Sequence, residues 1–352
     1  MSHYPKVAVV ILSWNGLDFL KKFVPPLVEN TIYPEAELIV ADNCSTDDSV
    51  AWLEENQPKV RVIKNQDNRG FAGGYNLALS QVDADYFVLL NQDVEVTRGW
   101  LEKIMNQIGN RGDIGAAQPK ILAYHDKGQF EYAGASGGYL DRFGFPFCRG
   151  RMFMDTEPDE GQYDTTVKVF WATGACLVVR ADLYNELGGL DERFFAHMEE
   201  IDLCWRIKNQ GYQIVSIGDS KVYHVGGGSL PQGNPRKTYL NFRNNLAMMY
   251  KNLPPAYLPV RIPVRLVLDG IAGMRFLALG EFRNIWAILK AHFSFYYNIF
   301  YWTRKRREIG KKKAPHNMSG YYRGSVIWQF FVKGRKKFSD LPEKGIPMQD
   351  IL

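Results

Sequence analysis

The chain has 352 residues, room for one large α/β domain with an appended element or for two domains, and its 46% hydrophobic and 23% charged content is that of a globular protein. Four cysteines (Cys44, Cys148, Cys176, Cys204) lie far apart without CxxC or Cys/His ligand spacing, which argues against a zinc site and a disulfide framework and suits a reducing cytoplasm. The net charge of +5 divides unevenly, with 18 Lys and Arg against 6 Asp and Glu from Leu258 onward and 25 against 32 before it. The acidic first part argues against a nucleic-acid partner, whereas the basic, aromatic-rich remainder suits an anionic surface such as a phospholipid leaflet.

Residues 7–12 form an apolar run too short for a signal-peptide core and without a small-residue cleavage site, so they predict a first strand. Helical patterns at 19–28, 49–53 and 71–79 then alternate with strand-like runs at 38–41, 60–63 and 86–90. This βαβαβαβ order predicts an α/β fold with a mostly parallel sheet flanked by helices, and ligands bound beyond the carboxyl ends of its strands. The polar residues just after the runs are therefore the candidate binding groups: Asn15, Asp42, Asn68 with Arg69 and Gly70, and Asn91 with Asp93. A dehydrogenase-type dinucleotide site is disfavoured, because the turn Ser13-Trp14-Asn15-Gly16 has one glycine where G-x-G-x-x-G is needed.

Further along, residues 134–150 are rich in glycine and aromatics and predict a loop or hairpin over a cleft. Glu199, Glu200 and Asp202 open a helical pattern that runs to Gly211, where carboxylates also complement a helix dipole. Strand-like runs at 214–217 and 220–223 precede His224 and three glycines. The break at Leu253-Pro254-Pro255 divides the chain into a first domain, 1–253, and a basic, aromatic-rich helical extension, 254–352. Within that extension, residues 285–302 are apolar but interrupted by Lys290 and His292 and flanked by Arg304 to Arg307 and Lys311 to Lys313. That pattern predicts a helix lying in a membrane interface rather than spanning it.

Six stretches, VAVVILSWNG, IVADNCSTDDSV, NRGFAGGYNLAL, FVLLNQDVEV, GGLDERFFAHMEEIDLCWRIKNQGY and VYHVGGGS, occur in order across residues 7–229. In order and spacing they resemble family 2 glycosyltransferases of the GT-A fold, most closely bacterial rhamnosyltransferase-type enzymes that build surface polysaccharides. The resemblance implies that Asp42 accepts a hydrogen bond from the ring NH of uracil or thymine, although it could instead cap the following helix. Asn15, Asn68, Arg69, Gly70, Asn76 and Asn91 would border the donor, Asn91 standing where fuller motifs carry a first carboxylate. Asp93 and His224 would hold Mg²⁺ or Mn²⁺ against the diphosphate. Glu200 would be the general base, in place of the family's commoner aspartate, with Glu199 and Asp202 on the same turn. Trp171 and Thr173 would lie at the acceptor, and Arg243 would fold over the diphosphate.

The same resemblance implies an inverting enzyme that uses a dTDP- or UDP-linked sugar, with dTDP-rhamnose favoured, and a glycan or lipid-linked acceptor. It would sit peripherally on the inner face of the cytoplasmic membrane. The alternative is a catalytically silent sugar-nucleotide or polysaccharide-binding module, which the retention of Asp93, Glu200 and His224 together argues against. A nucleotidyltransferase would open on a long glycine-rich loop bearing basic residues, which this chain lacks.

Overall fold

The structure, a computed structural model, describes residues 4–226, 233–310 and 318–342. The chain begins β1 (Val7–Ser13), α1 (Leu17–Asn30), β2 (Ala36–Asp42), α2 (Ser49–Asn56), β3 (Arg61–Lys64), α3 (Gly70–Leu79) and β4 (Tyr86–Asn91), the alternation expected from the hydrophobic pattern. Strands β1 and β4 are apolar almost throughout because helices cover both faces of the sheet they form. All three pairings among β1 to β4 are parallel, and their register sets Ser13 beside Asp42, Leu12 beside Asn91 and Asp42 beside Lys64. The carboxyl ends carrying the candidate donor residues thus form one edge.

Beyond β4 come β5 (Val94–Val96), α4 (Trp100–Ile108), β6 (Ile114–Ala123), β7 (Gly138–Asp141), β8 (Pro146–Cys148), β9 (Arg151–Met152), β10 (Asp155–Thr156), β11 (Val167–Val169), β12 (Cys176–Arg180), α5 (Ala181–Glu186), α6 (Glu199–Asn209) and β13 (Gln213–His224). Among the described residues the main sheet runs β11-β13-β6-β12-β4-β1-β2-β3, with β5 paired to β13. Strand β12 enters antiparallel between β4 and β6, so only the nucleotide-side half is purely parallel. Two short strands were expected before His224, and they are one strand with an irregularity between Ile217 and Lys221. Gly218 lies in this irregularity, where only glycine fits, since a Cβ there would come within 2.3 Å of the Tyr163 carbonyl oxygen. All four cysteines are free thiols, Cys44 exposed and the others buried.

The chain closes with α7 (Pro235–Asn252), α8 (Leu258–Ala278), α9 (Phe282–Tyr297), α10 (Ile299–Gly310) and β14 (Tyr321–Tyr322). The glycine-aromatic stretch is a hairpin, β7–β8, and it belongs to a second sheet ordered β10-β9-β8-β7-β14. The C-terminal segment is thereby tied to this sheet. Val326 N–H donates to the buried Asp141 carboxylate at 2.9 Å, and the Phe338 ring packs 4.8 Å from Tyr139. Burial pushes the Asp141 carboxyl up to about 6 against the three backbone N–H groups that hold it. The apolar run expected as one helix over 285–302 is two, because Asn298 leaves the helical conformation between α9 and α10. Lys311 to Lys313 lie outside the described residues. No helix among the described residues is long and apolar enough to cross a membrane.

Candidate active site

At the parallel edge, three loops are laced together by asparagines. Asn15 takes a left-handed conformation (φ 49°), which asparagine tolerates, and its Oδ1 accepts the Thr46 N–H at 2.8 Å, joining the first loop to the second. Asn43 Nδ2 donates to Asn68 Oδ1 at 2.9 Å, and that oxygen also accepts the Gly70 N–H at 2.9 Å, joining the second loop to the start of α3. Asp42 sits inside this frame. Its Oδ2 accepts the Ser45 N–H at 3.1 Å, while its Oδ1 is buried without a partner. Asp42 does not cap the following helix, since α2 begins at Ser49 behind Asp48; its Oδ2 closes the turn at Ser45, and its Oδ1 is left able to accept an N–H. Arg69 is exposed and pairs with Asp67 at 2.9 Å.

Strand β5 pairs antiparallel with β13, setting Val94 opposite His224, and this brings Asp93 and His224 together from opposite halves of the chain. His224 Nε2 lies 3.2 Å from Asp93 Oδ1 and 3.3 Å from Asn91 Nδ2. Behind the ring, Nδ1 is 3.1 Å from Glu131 Oε2, a close charge contact without the alignment of a hydrogen bond. Burial disfavours a charged imidazole, but the flanking Asp93 and Glu131 carboxylates outweigh it and push His224 up to about 10. Asp93 is correspondingly held below the usual carboxylate range: burial opposes its charge, and His224 more than offsets that. Sequence reasoning missed Glu131, an isolated acid between Phe130 and Tyr132 with no local pattern to mark it.

The carboxylates of α6 follow a strained segment in which Phe195, His197 and Met198 all have positive φ (66°, 69° and 72°). Such conformations persist only where neighbours over-determine them. Here α7 does so. The Asn244 side-chain amide reaches the carbonyl oxygens of Phe194, Ala196 and His197 at 3.0, 2.9 and 2.8 Å. Arg243 donates to the Arg193 and Phe194 carbonyls at 2.7 and 3.1 Å. The Phe195 carbonyl in turn accepts the Phe71 N–H at 3.0 Å, and the Phe195 ring packs against Gly70, where a side chain would come within 2.6 Å of it. The α3 terminus and the α6 terminus are thus locked to each other. Asn244→Ala removes this amide from the Ala196 and His197 carbonyls and leaves Phe194 to Arg243, and a loss of about 1–3 kcal/mol is expected in denaturant unfolding.

Glu200 keeps a solvent-facing edge, while one carboxylate oxygen is buried without a partner. Gly174 faces it, and a Cβ there would lie 3.8 Å from Glu200 Cβ and 3.3 Å from the Phe71 ring. Burial pushes the Glu200 carboxyl up to about 7. Glu199 is fully buried with an unpartnered oxygen; burial first, and the neighbouring Glu200 second, hold it well above the usual range. Beside them His197 is pushed down to about 4 by burial and by the Lys237 charge.

Five expected site residues have their polar groups committed to the scaffold. Asp202 is fully buried, accepting from Arg206 Nε at 2.9 Å, Lys251 Nζ at 2.9 Å and Asn252 Nδ2 at 2.8 Å, so it anchors α6 to α7 instead of joining the catalytic cluster. Arg243 is spent on the 193–194 carbonyls and does not reach over a diphosphate. Asn76 bonds both backbone groups of Leu190 and the Tyr184 hydroxyl, which holds α3 against the segment before α6 and keeps it from the donor edge. Trp171 is buried beneath the second sheet with its Nε1 donating to Tyr139 O at 2.9 Å, so it does not line the cleft. Thr173, also buried, donates to the Ala133 carbonyl and receives the Ala175 N–H at 3.2 Å, tying the start of β12 to the loop that carries Glu131.

Comparison with known proteins accounts for this architecture. The solved structure of GalNAc-T7 with UDP, GalNAc and Mn²⁺ superposes with a TM-score of 0.56 at 16% identity, covering 71% of this chain and 48% of that one. A mannosyltransferase of Pyrobaculum calidifontis in complex with GDP-Man and Mn²⁺ superposes with a TM-score of 0.51 at 16% identity, covering 88% and 86%. At that identity the likeness shows the fold, which is GT-A. Among curated relatives, the O-antigen biosynthesis protein RfbC of Myxococcus xanthus is 28% identical over 223 residues, 62% of this chain but 17% of that protein. An uncharacterised protein of Sinorhizobium fredii matches over 74% of this chain and 29% of its own length, so the chain spans under a third of these two relatives. The N-acetylglucosaminyl-diphospho-decaprenol L-rhamnosyltransferase of Mycobacterium tuberculosis is 26% identical over 61% of this chain and 75% of its own. The family profile described as glycosyl transferase family 2 matches residues 8–185, from the first strand through α5, just over half the chain. The profile match, spanning the first strand through α5, places the chain in glycosyltransferase family 2.

Proposed function

We propose that this chain transfers a sugar, with inversion, from a dTDP- or UDP-linked donor to a hydroxyl of a glycan or lipid-linked acceptor, with Glu200 as the general base. The observation that carries this reading is the Glu200 carboxylate. It belongs to a half-buried side chain beside Gly174, has a buried oxygen without a partner, and is pushed up to about 7 by burial, near the pH at which a base must exchange protons. Rhamnose is the sugar favoured, on the similarity to the mycobacterial rhamnosyltransferase, whose name specifies a lipid-linked acceptor.

In this mechanism Asp42 Oδ1 accepts the ring N–H of the pyrimidine, and the asparagine-laced loops fix the nucleotide beside the start of α3. The strained segment at 195–198 holds Glu200 in place, so that it removes the acceptor proton as the oxygen attacks the anomeric carbon. Glu199 behind it is fully buried, its carboxyl held well above the usual range by burial first and by Glu200 second, so in this reading Glu200 is the carboxylate of the turn that faces the acceptor. Asp93 and His224 would hold a divalent cation through one carboxylate oxygen and, once the imidazole gives up the proton that Asp93 and Glu131 stabilise, one ring nitrogen, with Glu131 bracing the far side of the ring as outer-shell carboxylates do. Among the described residues no cluster of three or more acidic, histidine or cysteine side chains stands there, so Mg²⁺ or Mn²⁺ would depend on oxygens of the donor and water for the rest of its ligands. When bound, such a cation neutralises charge on the leaving diphosphate.

Nucleoside diphosphate release titrated with Mn²⁺ tests the metal assignment. Glu131→Gln is expected to raise the metal concentration for half-maximal rate by about 10–100-fold, as loss of an outer-shell carboxylate does elsewhere. His224→Ala is expected to raise it at least as far. Full activity in excess chelator rejects the assignment.

A further inference from the structure

The helices after α7 carry an apolar surface that the described fold leaves uncovered. On α8, Val267, Ile271 and Met274 share one face and are 65%, 57% and 69% exposed. Trp286 and Phe293 of α9 and Phe300 at the start of α10 recur at intervals of seven residues and are 70%, 73% and 87% exposed. The opposite face of α9 is already satisfied, with Ala287, Ile288, Ala291 and Phe295 buried. A surface helix in water has a polar outer face, whereas α9 is apolar on both faces and α8 turns its Arg265–Asp269 ion pair inward and its apolar residues outward, and apolar outer faces on two packed helices mark a contact surface.

Charge decides what covers it. Arg283, Lys290, Arg304 and Arg307 are exposed around the patch. Of the acids between residues 258 and 310, Asp269 is buried against Arg265 at 2.7 Å, which leaves Glu281 and Glu308. A second copy would set two basic faces against each other, while an anionic leaflet neutralises them. Bulky aromatics among basic residues match the interfacial zone of a bilayer, and the lack of a spanning helix among the described residues leaves a helix pair lying in the membrane plane.

We infer that the outer face of α8 and α9 docks the protein on an anionic phospholipid bilayer. Docking also orients the active site, because α9 rests on α7, the helix that braces the strained segment. Thr238 Oγ1 donates to Asn284 Oδ1 at 2.8 Å and Tyr239 Oη to Ser294 Oγ at 2.9 Å, and Arg193 bonds Asn298 directly. The docking face is one helix away from the segment that presents Glu200, so a lipid-linked acceptor is met at the bilayer surface. Only this last consequence rests on the proposed function.

Flotation of the full chain with vesicles of phosphatidylglycerol and phosphatidylcholine in equal parts tests the inference, with nucleoside diphosphate release from the free donor measured on the same samples. The wild type is expected to float at low salt with mixed vesicles and not with phosphatidylcholine alone. Trp286→Gln, Phe293→Gln and Phe300→Gln combined are expected to lower partitioning by about a hundredfold, with circular dichroism and donor turnover unchanged. Arg283→Gln with Arg307→Gln is expected to weaken the salt-sensitive part alone. No flotation of the wild type, equal flotation of the triple variant, or a wild-type dimer that the triple variant turns into a monomer overturns the inference. Flotation without donor turnover in any sample supports docking and rejects the transferase reading instead.

Discussion

Glu200→Gln is expected to lower turnover by about 10²–10⁴-fold with donor affinity unchanged, the range that a positioned general base supplies. The amide keeps the shape of the side chain and removes the proton acceptor. The pH profile carries the same signature. A carboxyl pushed up to about 7 by burial makes the acid limb of kcat/KM rise through that pH as Glu200 loses its proton, and Glu200→Gln removes the limb. Stability moves the other way: the folded state holds this proton more tightly than the unfolded chain, so the contribution is complete below the ordinary value of 4.5 and is lost as pH rises through about 7. Glu200→Asp distinguishes chemistry from reach. Partial activity means that the carboxylate matters more than its length, and an inactive variant means that the acceptor site is built around the longer side chain.

The second large effect falls on stability. Asp202, completely buried, is shared by Arg206 and Lys251, and Lys251 also pairs with Asp191 at 2.6 Å. Asp202→Ala leaves two buried cations with one carboxylate fewer, and a loss of about 3–5 kcal/mol is expected in equilibrium unfolding. Any fall in rate should then track the folded fraction and disappear when rates are normalised to folded protein. A variant that unfolds like wild type but turns over a hundredfold more slowly would return Asp202 to the catalytic group. In Glu199, Glu200 and Asp202, three carboxylates within one helical turn, the same side-chain chemistry is sorted by environment alone: Asp202 is paired with cations, Glu199 is fully buried with its carboxyl held well above the usual range, and Glu200 is half-buried with an oxygen left without a partner.

That sorting shows what could be read from the chain before folding. The nucleotide half was legible because β1 and β4 are unbroken apolar runs, and a parallel sheet puts whatever polar residue comes after such a run at the ligand edge, so Asp42 and Asp93 could be named from position alone. Glu200 and His224 were legible only through motif resemblance. Glu131 and Asn244 were not singled out, because their partners are distant in sequence and nothing in their neighbours encodes the pairing. Arg243 and Asp202 were misassigned for the converse reason. A charged residue near a motif reads as functional until the structure shows which backbone carbonyl or buried cation it satisfies. The helices after Leu253 gave their apolar and basic character in advance, but which face was left open depended on how α9 settles on α7.

Release of nucleoside diphosphate from dTDP- and UDP-linked sugars, monitored with Mg²⁺ or Mn²⁺ for wild type and Glu200→Gln side by side, tests the proposed chemistry most directly. Metal-dependent release by the wild type, accelerated by acceptor and lost in Glu200→Gln while both proteins still bind the donor, is the predicted result. Donor binding by the wild type with no release across the panel under any metal would contradict it, and would make this chain a sugar-nucleotide-binding module in which the fold persists without the reaction.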